Sequence, residues 1–549
     1  MLKMNHQWIL SLFVGMVLAM TAVSTRAASG PGFLVIAPDR GFLGNEEVRD
    51  LFAEFRKTVP KAVIAFATEE KTADNLKQAL ATLSKERNLS NVVVLPLFLS
   101  EHHALYQKAR KTLESLNHSA LQFARPFGAS YLAEEILFDR VETLSSSPDQ
   151  ERLILVAAGA GSDEAESRLR EDLKPLLDRA VKKYKLAHKG EIVVIYDWSA
   201  PKERWEAAFD TVVARIRDSS GRFPRTLVVP FNFGKRLTMM MSDWHRVHRA
   251  IKDYNVTYDG KGILPHTNVL YWLRQASARY LPLKRDDIGV ILVPHGSDYN
   301  WNETMRQGIR PLRGEYIIED AFSMVDPVVV RRAGRRLERR GVKAALVVRI
   351  FSLEASFQEK AEYILGLRRE YRSFPKRIRS GLLFHTLGGL ETSPHLARAI
   401  IDRIREISRS PEKETVILLA HGTGDEGRND HWMGNLKTLA EYIRKNGGKR
   451  FRAVRYYTWR EDWPEKRKEA VEVIRSMVDE ASKDGGIALI VPQRTAGRGR
   501  GDEFLKGLNY RYAIGFAPHP EFTRWLRSTI EKGIAYFTSG QARLRKNER

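Results

Sequence analysis

The stretch ILVPHGSDYNWNE, residues 291–303, runs an apolar segment into His295-Gly296-Ser297 and then toward a helix. A second stretch, ILLAHGTGDEGRND at 417–430, does the same with His421-Gly422-Thr423. Near-continuous Val/Ile/Leu runs of this length mark strands buried on both faces, and therefore a parallel sheet covered by helices. A glycine directly after the histidine lets the backbone turn sharply and lets a ligand come close. In open α/β sheets, ligands sit at the carboxyl ends of strands, where both histidines fall.

Working outward, comparable runs occur along the whole chain. They are FLVIA (33–37), NVVVLPLFL (91–99), LILVAA (153–158), EIVVIY (191–196), TLVVPF (226–231), GVILVP (289–294), AALVVRIF (344–351), TVILLA (415–420), AVRYY (453–457) and IALIVP (487–492). They alternate with helical stretches of ten or more residues, which predicts parallel α/β domains. Helix punctuation is explicit at Asp326 as cap, Pro327 at the first position and Gly341 as the stop. Thr72 through Arg87 reads as the corresponding helix earlier in the chain.

Internal repeats organise these elements. GILPHTNVLYWL (262–273) matches GFAPHPEFTRWL (515–526) at Gly, Pro, His, Trp and Leu without a gap. Tyr196-Asp197-Trp198 matches Tyr457-Thr458-Trp459, LQF (121–123) matches LLF (382–384), and PLFLSE (96–101) matches RIFSLE (349–354). The expected organisation is a leader at 1–27 followed by modules at 30–150, 151–288, 289–413 and 414–545. The first pairs with the third and the second with the fourth, as if a two-module unit had been duplicated.

The strand tips carry the candidate chemistry. In place of the histidine, the first module offers Asp39 within VIAPDRG (35–41), and the second offers Ala158 within VAAGAGSDE (156–164). A carboxylate can still bind a metal or accept a proton, whereas alanine can do neither. A further strand end, in NVVVLPLFLSEHHALYQKA (91–109), supplies Glu101, His102 and His103, an N/O set suited to cobalt, iron, nickel or zinc. The third module has Glu354 there and neither imidazole. Imidazole at such a tip either binds a divalent metal or moves a proton near neutral pH. The alternative for each is a turn residue making hydrogen bonds. His266 and His519, in Pro-His turns before helices, read as caps.

Length and composition bound the rest. A chain of 549 residues with 43% hydrophobic and 9% aromatic residues exceeds one core and is globular. Lys3, the apolar run from Trp8 to Val23 and Thr25-Arg26-Ala27 form the pattern of an export signal, with a retained N-terminal anchor as the alternative. No second run of spanning length follows, so the mature body is expected to lack a membrane segment and to be periplasmic. There is no cysteine, which excludes disulfides, thiolate metal sites and c-type haem attachment. The net charge of +23 favours polyanionic or multiply carboxylated partners, and export argues against nucleic acid. Part of that charge, Arg331 to Arg340, reads as the solvated face of one helix, and the tail RLRKNER (543–549) reads as frayed. No Gly-x-Ser-x-Gly elbow, P-loop or strand-placed Gly-x-Gly-x-x-Gly occurs, so serine hydrolysis and nucleotide binding find no support.

The histidine turns at 295–297 and 421–423, the segment VVVLPLFLSEHH (92–103) and the glycine turn in ARPFGASYLAEEILFDRV (124–141) resemble the sirohydrochlorin chelatases, the class II chelatases of CbiX type. The resemblance covers most of the chain as four family-like modules. It implies flavodoxin-like three-layer α/β modules with parallel sheets, paired as bilobal units across a cleft. It also implies insertion of Co²⁺ or Fe²⁺, with Ni²⁺ a further candidate, into an acidic tetrapyrrole, the metal being substrate and no organic cofactor being needed. In that family a histidine after the first strand and another after the PLFL-type strand bind metal and accept pyrrole protons. The first role falls on His295 and His421, the second on His102 or His103, with Glu101, Asp39 and Glu354 as accompanying ligands. No module keeps both histidines. This leaves three readings open: a site shared between modules, mixed N/O sites (Asp39 with His103, His295 with Glu354), or an exported binder of metal or tetrapyrrole that catalyses nothing. A homo-oligomer also remains open.

Overall fold

The computed structural model describes residues 30–85, 89–116, 120–196, 200–233, 243–447 and 450–544. The leader, Trp198 and the end of the tail lie outside the described residues. Sixteen strands form four sheets among the described residues. The first holds β1 (Gly30–Pro38), β2 (Ala62–Ala67), β3 (Leu89–Pro96) and β4 (Leu121–Phe123). The second holds β5 (Glu151–Ala160), β6 (Glu191–Tyr196), β7 (Arg225–Pro230) and β8 (Val256–Tyr258). The third holds β9 (Ile288–Pro294), β10 (Ile317–Asp320), β11 (Ala344–Ile350) and β12 (Leu383–Gly388). The fourth holds β13 (Glu414–Ala420), β14 (Ala453–Thr458), β15 (Ile487–Gln493) and β16 (Tyr510–Tyr512).

Every sheet is parallel and has the same order, second-first-third-fourth. This is the α/β three-layer architecture expected from the buried apolar runs, repeated four times. The ten apolar runs are all strands. The remaining six, among them the three-residue β4, β8 and β16, all lie at sheet edges. Helix punctuation also matches: Asp326 accepts from the Val328 and Val329 N–H groups at 2.9 and 3.1 Å, and Gly341 turns at φ +77° after helix Pro327–Arg339.

The chain divides into two compact units, residues 1–266 and 267–549. Within the first unit, helix Tyr131–Leu144 follows the first sheet in sequence but packs on β7 of the second. There the buried pair Arg179–Glu134, at 2.7 Å, and the Tyr184 hydroxyl, which donates to Phe138 O at 2.8 Å, fix it to helix Asp163–Tyr184. Within the second unit the exchange runs both ways. Helix Pro394–Ile407 packs on β15, and helix Pro520–Thr538 packs on β11 and β12. One apolar core consequently runs through both sheets of that unit, from Val290 and Leu346 to Leu418 and Leu489. Helix Thr267–Ala278 packs on β12, so the division by contact falls at 266/267 and not at 288/289. Among the described residues, no helix is long and apolar enough to cross a membrane.

Candidate functional site

In this strand order the connections leave the first strand in one direction and the third in the other. The crevice therefore opens at the carboxyl ends of those two strands. Register identifies equivalent positions there. Ile36 pairs with Pro96, Val156 with Pro230, Val293 with Arg349 and Leu419 with Pro492. Two residues further along each first strand stand Pro38, Ala158, His295 and His421. Asp39 is thus one place beyond the histidine position, which Pro38 occupies. An independent check agrees: Asn45 Oδ1 accepts from the Arg40 N–H and Asn302 Oδ1 from the Ser297 N–H, both at 3.0 Å. Asp39 itself organises the turn, accepting from the Gly41 N–H at 3.1 Å and the Asn45 amide at 2.7 Å.

In the first unit, His103 is buried, at 4% exposure, and caps helix Ala104–Ser115 with Nδ1 3.3 Å from the Leu105 N–H. Arg40 Nη2 stands 3.1 Å from its Nε2. Burial, and then the Arg40 charge, push the imidazole well below its ordinary pKa, so it is held neutral. The ring lies against the bulged end of β5: a Cβ at Gly159 would fall 2.1 Å from His103 Nε2, so only glycine fits there. The cleft, lined by Arg40, Phe98, His103, Ala158, Leu169 and Phe233, keeps only about 10 Å³ open, room for roughly one water. Glu101 is exposed, its carbonyl accepting from Gln107. His102 is half-buried and its N–H donates to the Ser100 hydroxyl at 2.9 Å.

The second unit is different. His295 Nδ1 lies 2.7 Å from Gly296 O, and His421 Nδ1 lies 2.9 Å from Gly422 O. A carbonyl only accepts, so Nδ1 carries a proton and donates, which leaves Nε2 as the ring nitrogen that can take a metal or a proton. His295 is exposed beside Trp301, their ring centroids 6.3 Å apart. His421 is half-buried, parallel to Trp432 and edge-on to Trp463. Its Nε2 lies 3.4 Å from Asp462 Oδ2 and 3.6 Å from Glu461 Oε2. The buried Glu461 is held in turn by Arg494 at 2.5 Å.

Glu354 is exposed on the loop after β11. That loop is pinned from below by the buried Arg349, which donates to the carbonyls of Glu354 and Ser356. The Glu354 N–H donates to Glu391 Oε1 at 2.5 Å. Glu391 also accepts from Asn435 and meets His431 Nε2 at 3.0 Å, joining the third module to the fourth. Met324 (φ +45°), Val325 (+60°), Phe357 (+55°), Glu391 (+44°) and Arg460 (+55°) all hold left-handed backbone at the strand tips of this unit. Such strain costs about 1–3 kcal/mol per residue and gathers where a site needs it. Among the described residues, no group of three or more His, Asp or Glu is arranged to hold a metal ion. Sequence reasoning missed Arg40, Glu461, Asp462, Glu391 and His431. A signal for Glu461 was available, since RED (460–462) begins three residues beyond the end of the predicted strand AVRYY (453–457).

His266 and His519 are structural. His266 Nε2 meets Asp139 at 3.2 Å, and His519 Nδ1 caps helix Pro520–Thr538 through the Glu521 N–H at 3.1 Å.

The four modules share parallel α/β sheets of one strand order, with imidazole or another residue at the tip of each first strand. Residues 42–144, within the first module, match the CbiX family model. Among solved structures, DR2241 from Deinococcus radiodurans is described as a multi-domain protein with structural similarity to chelatases but also with two additional novel domains. It aligns at 19% identity with a TM-score of 0.32, over 45% of this chain and 55% of its own length. The chain therefore spans about half of that protein. No curated protein matches the sequence significantly.

Proposed function

We propose that this protein is a class II chelatase-like enzyme that binds an acidic tetrapyrrole of the sirohydrochlorin kind and inserts a divalent metal, Co²⁺ or Fe²⁺, in its second unit. The observation that carries this reading is the matched pair His295 and His421, each with Nδ1–H tied to the next carbonyl and Nε2 left basic. Insertion requires a ligand that holds the arriving ion loosely and bases for two pyrrole protons. His295, exposed and without a neighbouring carboxylate in hydrogen-bond range among the described contacts, suits the metal. His421 suits the proton, because Glu461 and Asp462 would stabilise the imidazolium that forms. Arginines and lysines of the +23 chain hold the substrate's carboxylates. The leader reading makes this an exported, periplasmic activity.

The first unit favours a non-catalytic role, since a guanidinium stands where a metal would approach His103 and the cleft is nearly filled. Carried through the whole chain, that role would make the protein an exported metal or tetrapyrrole binder. Mixing purified protein with Co²⁺ and sirohydrochlorin while following the visible spectrum separates the two. Turnover above the uncatalysed rate, reduced at least about tenfold in both His295→Ala and His421→Ala, is the expected result. A stoichiometric spectral change without turnover would instead establish the binder, and no change with either metal would remove both readings.

A further inference from the structure

The two histidines of the second unit sit in unlike surroundings. Around His421 the rim is charged: the residue after the capping Asp425 is Glu426, paired with Arg460 at 2.6 Å and with Lys466. Around His295 the rim includes exposed apolar side chains. The residue after the corresponding cap, Asp298, is Tyr299, which is 74% exposed. Met324, 41% exposed, donates its N–H to His295 O at 3.1 Å. Phe357, 37% exposed, is linked to Met324 by Lys360, whose Nζ lies 3.3 Å from Met324 O and 5.8 Å from the Phe357 ring centroid. Side chains this exposed at a loop edge are not wholly committed to the core, although the Phe357 ring also packs on Phe351 at 4.9 Å. Met324 and Phe357 are moreover held at positive φ, which bulky residues avoid unless the fold imposes it.

The geometry points to Tyr299, Met324 and Phe357 as the seat for one flat face of the macrocycle, with His295 among them and Lys360 at the edge. This rests on the tetrapyrrole reading and adds the residues that grip the ring. A macrocycle presents apolar π faces and carboxylates around its circumference, so an apolar platform with a cation at its edge complements it where a charged rim does not. The third module then holds the ring and the fourth supplies the proton acceptor. The first unit has its own exposed aromatic, Phe42 at 78%, three residues before Asn45 as Tyr299 is before Asn302. It stands beside a filled cleft and serves as an internal control.

Binding of uroporphyrin, an octacarboxylate that needs no metal to fluoresce, tests this on the full-length chain. Tyr299→Ala and Phe357→Ala should each weaken the dissociation constant about fivefold, with Tyr299→Phe near wild type and Phe42→Ala unchanged. His295→Ala should lose insertion while binding stays within about threefold of wild type. If uroporphyrin binds wild type but both alanine variants stay within about twofold of it, the platform is refuted and the tetrapyrrole reading survives. If wild type binds neither uroporphyrin nor sirohydrochlorin, the two fall together.

Discussion

Arg40 Nη2 lies 3.1 Å from His103 Nε2, so a fixed cation occupies the approach that a metal ion would need in the first unit. A neutral imidazole there is linked to stability. The folded-state pKa is depressed, so the unfolded chain takes the proton first. Stability from neutral His103 is full above roughly pH 6.5 and is lost as pH falls below that value. His103→Phe should flatten the stability–pH slope between about pH 5 and 6.5, as read from urea unfolding. An unchanged slope would mean the imidazole is not held neutral.

The carboxylates facing His421 make a second expectation. Glu461→Gln with Asp462→Asn removes the charges that would stabilise its imidazolium, and should slow metal insertion about tenfold while leaving uroporphyrin binding unchanged. Equal losses in binding and in rate would place these groups in ligand recognition and not in proton transfer.

A buried carboxylate repeats at the junction inside each unit. Glu151 accepts from the Ser145 hydroxyl and the N–H groups of Ser146 and Ser147, with Arg225 at 3.5 Å. Glu414 accepts from the Ser408 hydroxyl, the N–H groups of Arg409 and Ser410, and Arg511 at 2.8 Å. Neither glutamate has any exposed surface. Replacing either by alanine strands several donors, and should destabilise its own unit by about 3–5 kcal/mol in chemical unfolding. A loss under about 1 kcal/mol would show that water replaces the carboxylate cheaply.

Glu521 couples the exchanged helices of the second unit. Burial opposes its ionisation, but hydrogen bonds from His395, Arg524 and Arg398 outweigh that and bring its pKa to about 2. A depressed carboxylate stabilises the fold above its unfolded pKa and loses that contribution as pH falls toward 2. Glu521→Gln should lower stability at pH 7 by roughly 2–3 kcal/mol and have a much smaller effect near pH 2. A deficit equal at both pH values would assign the effect to packing.

Much of this architecture was readable from the chain. Unbroken runs such as TVILLA and AALVVRIF can only be strands covered on both sides, and Asp326-Pro327 with Gly341 bracket their helix by local chemistry. The edge strands β4, β8 and β16 were not readable as strands, because three residues carry no usable periodicity. At the site, sequence located His295 and His421 correctly at strand tips, since strand and glycine turn are adjacent in the chain. It placed Asp39 one residue off, because that equivalence depends on which residue of β3 pairs with which residue of β1.

The amino-acid order alone determined four rounds of strand and helix, two histidine turns and the absence of thiol chemistry, all of which follow from patterns spanning a few residues. Only the tertiary structure decided that Arg40 covers His103, that two carboxylates stand behind His421, and that Met324 meets His295. Those relationships join groups on separate turns. Strand register and loop packing set their distances, and no local pattern encodes either.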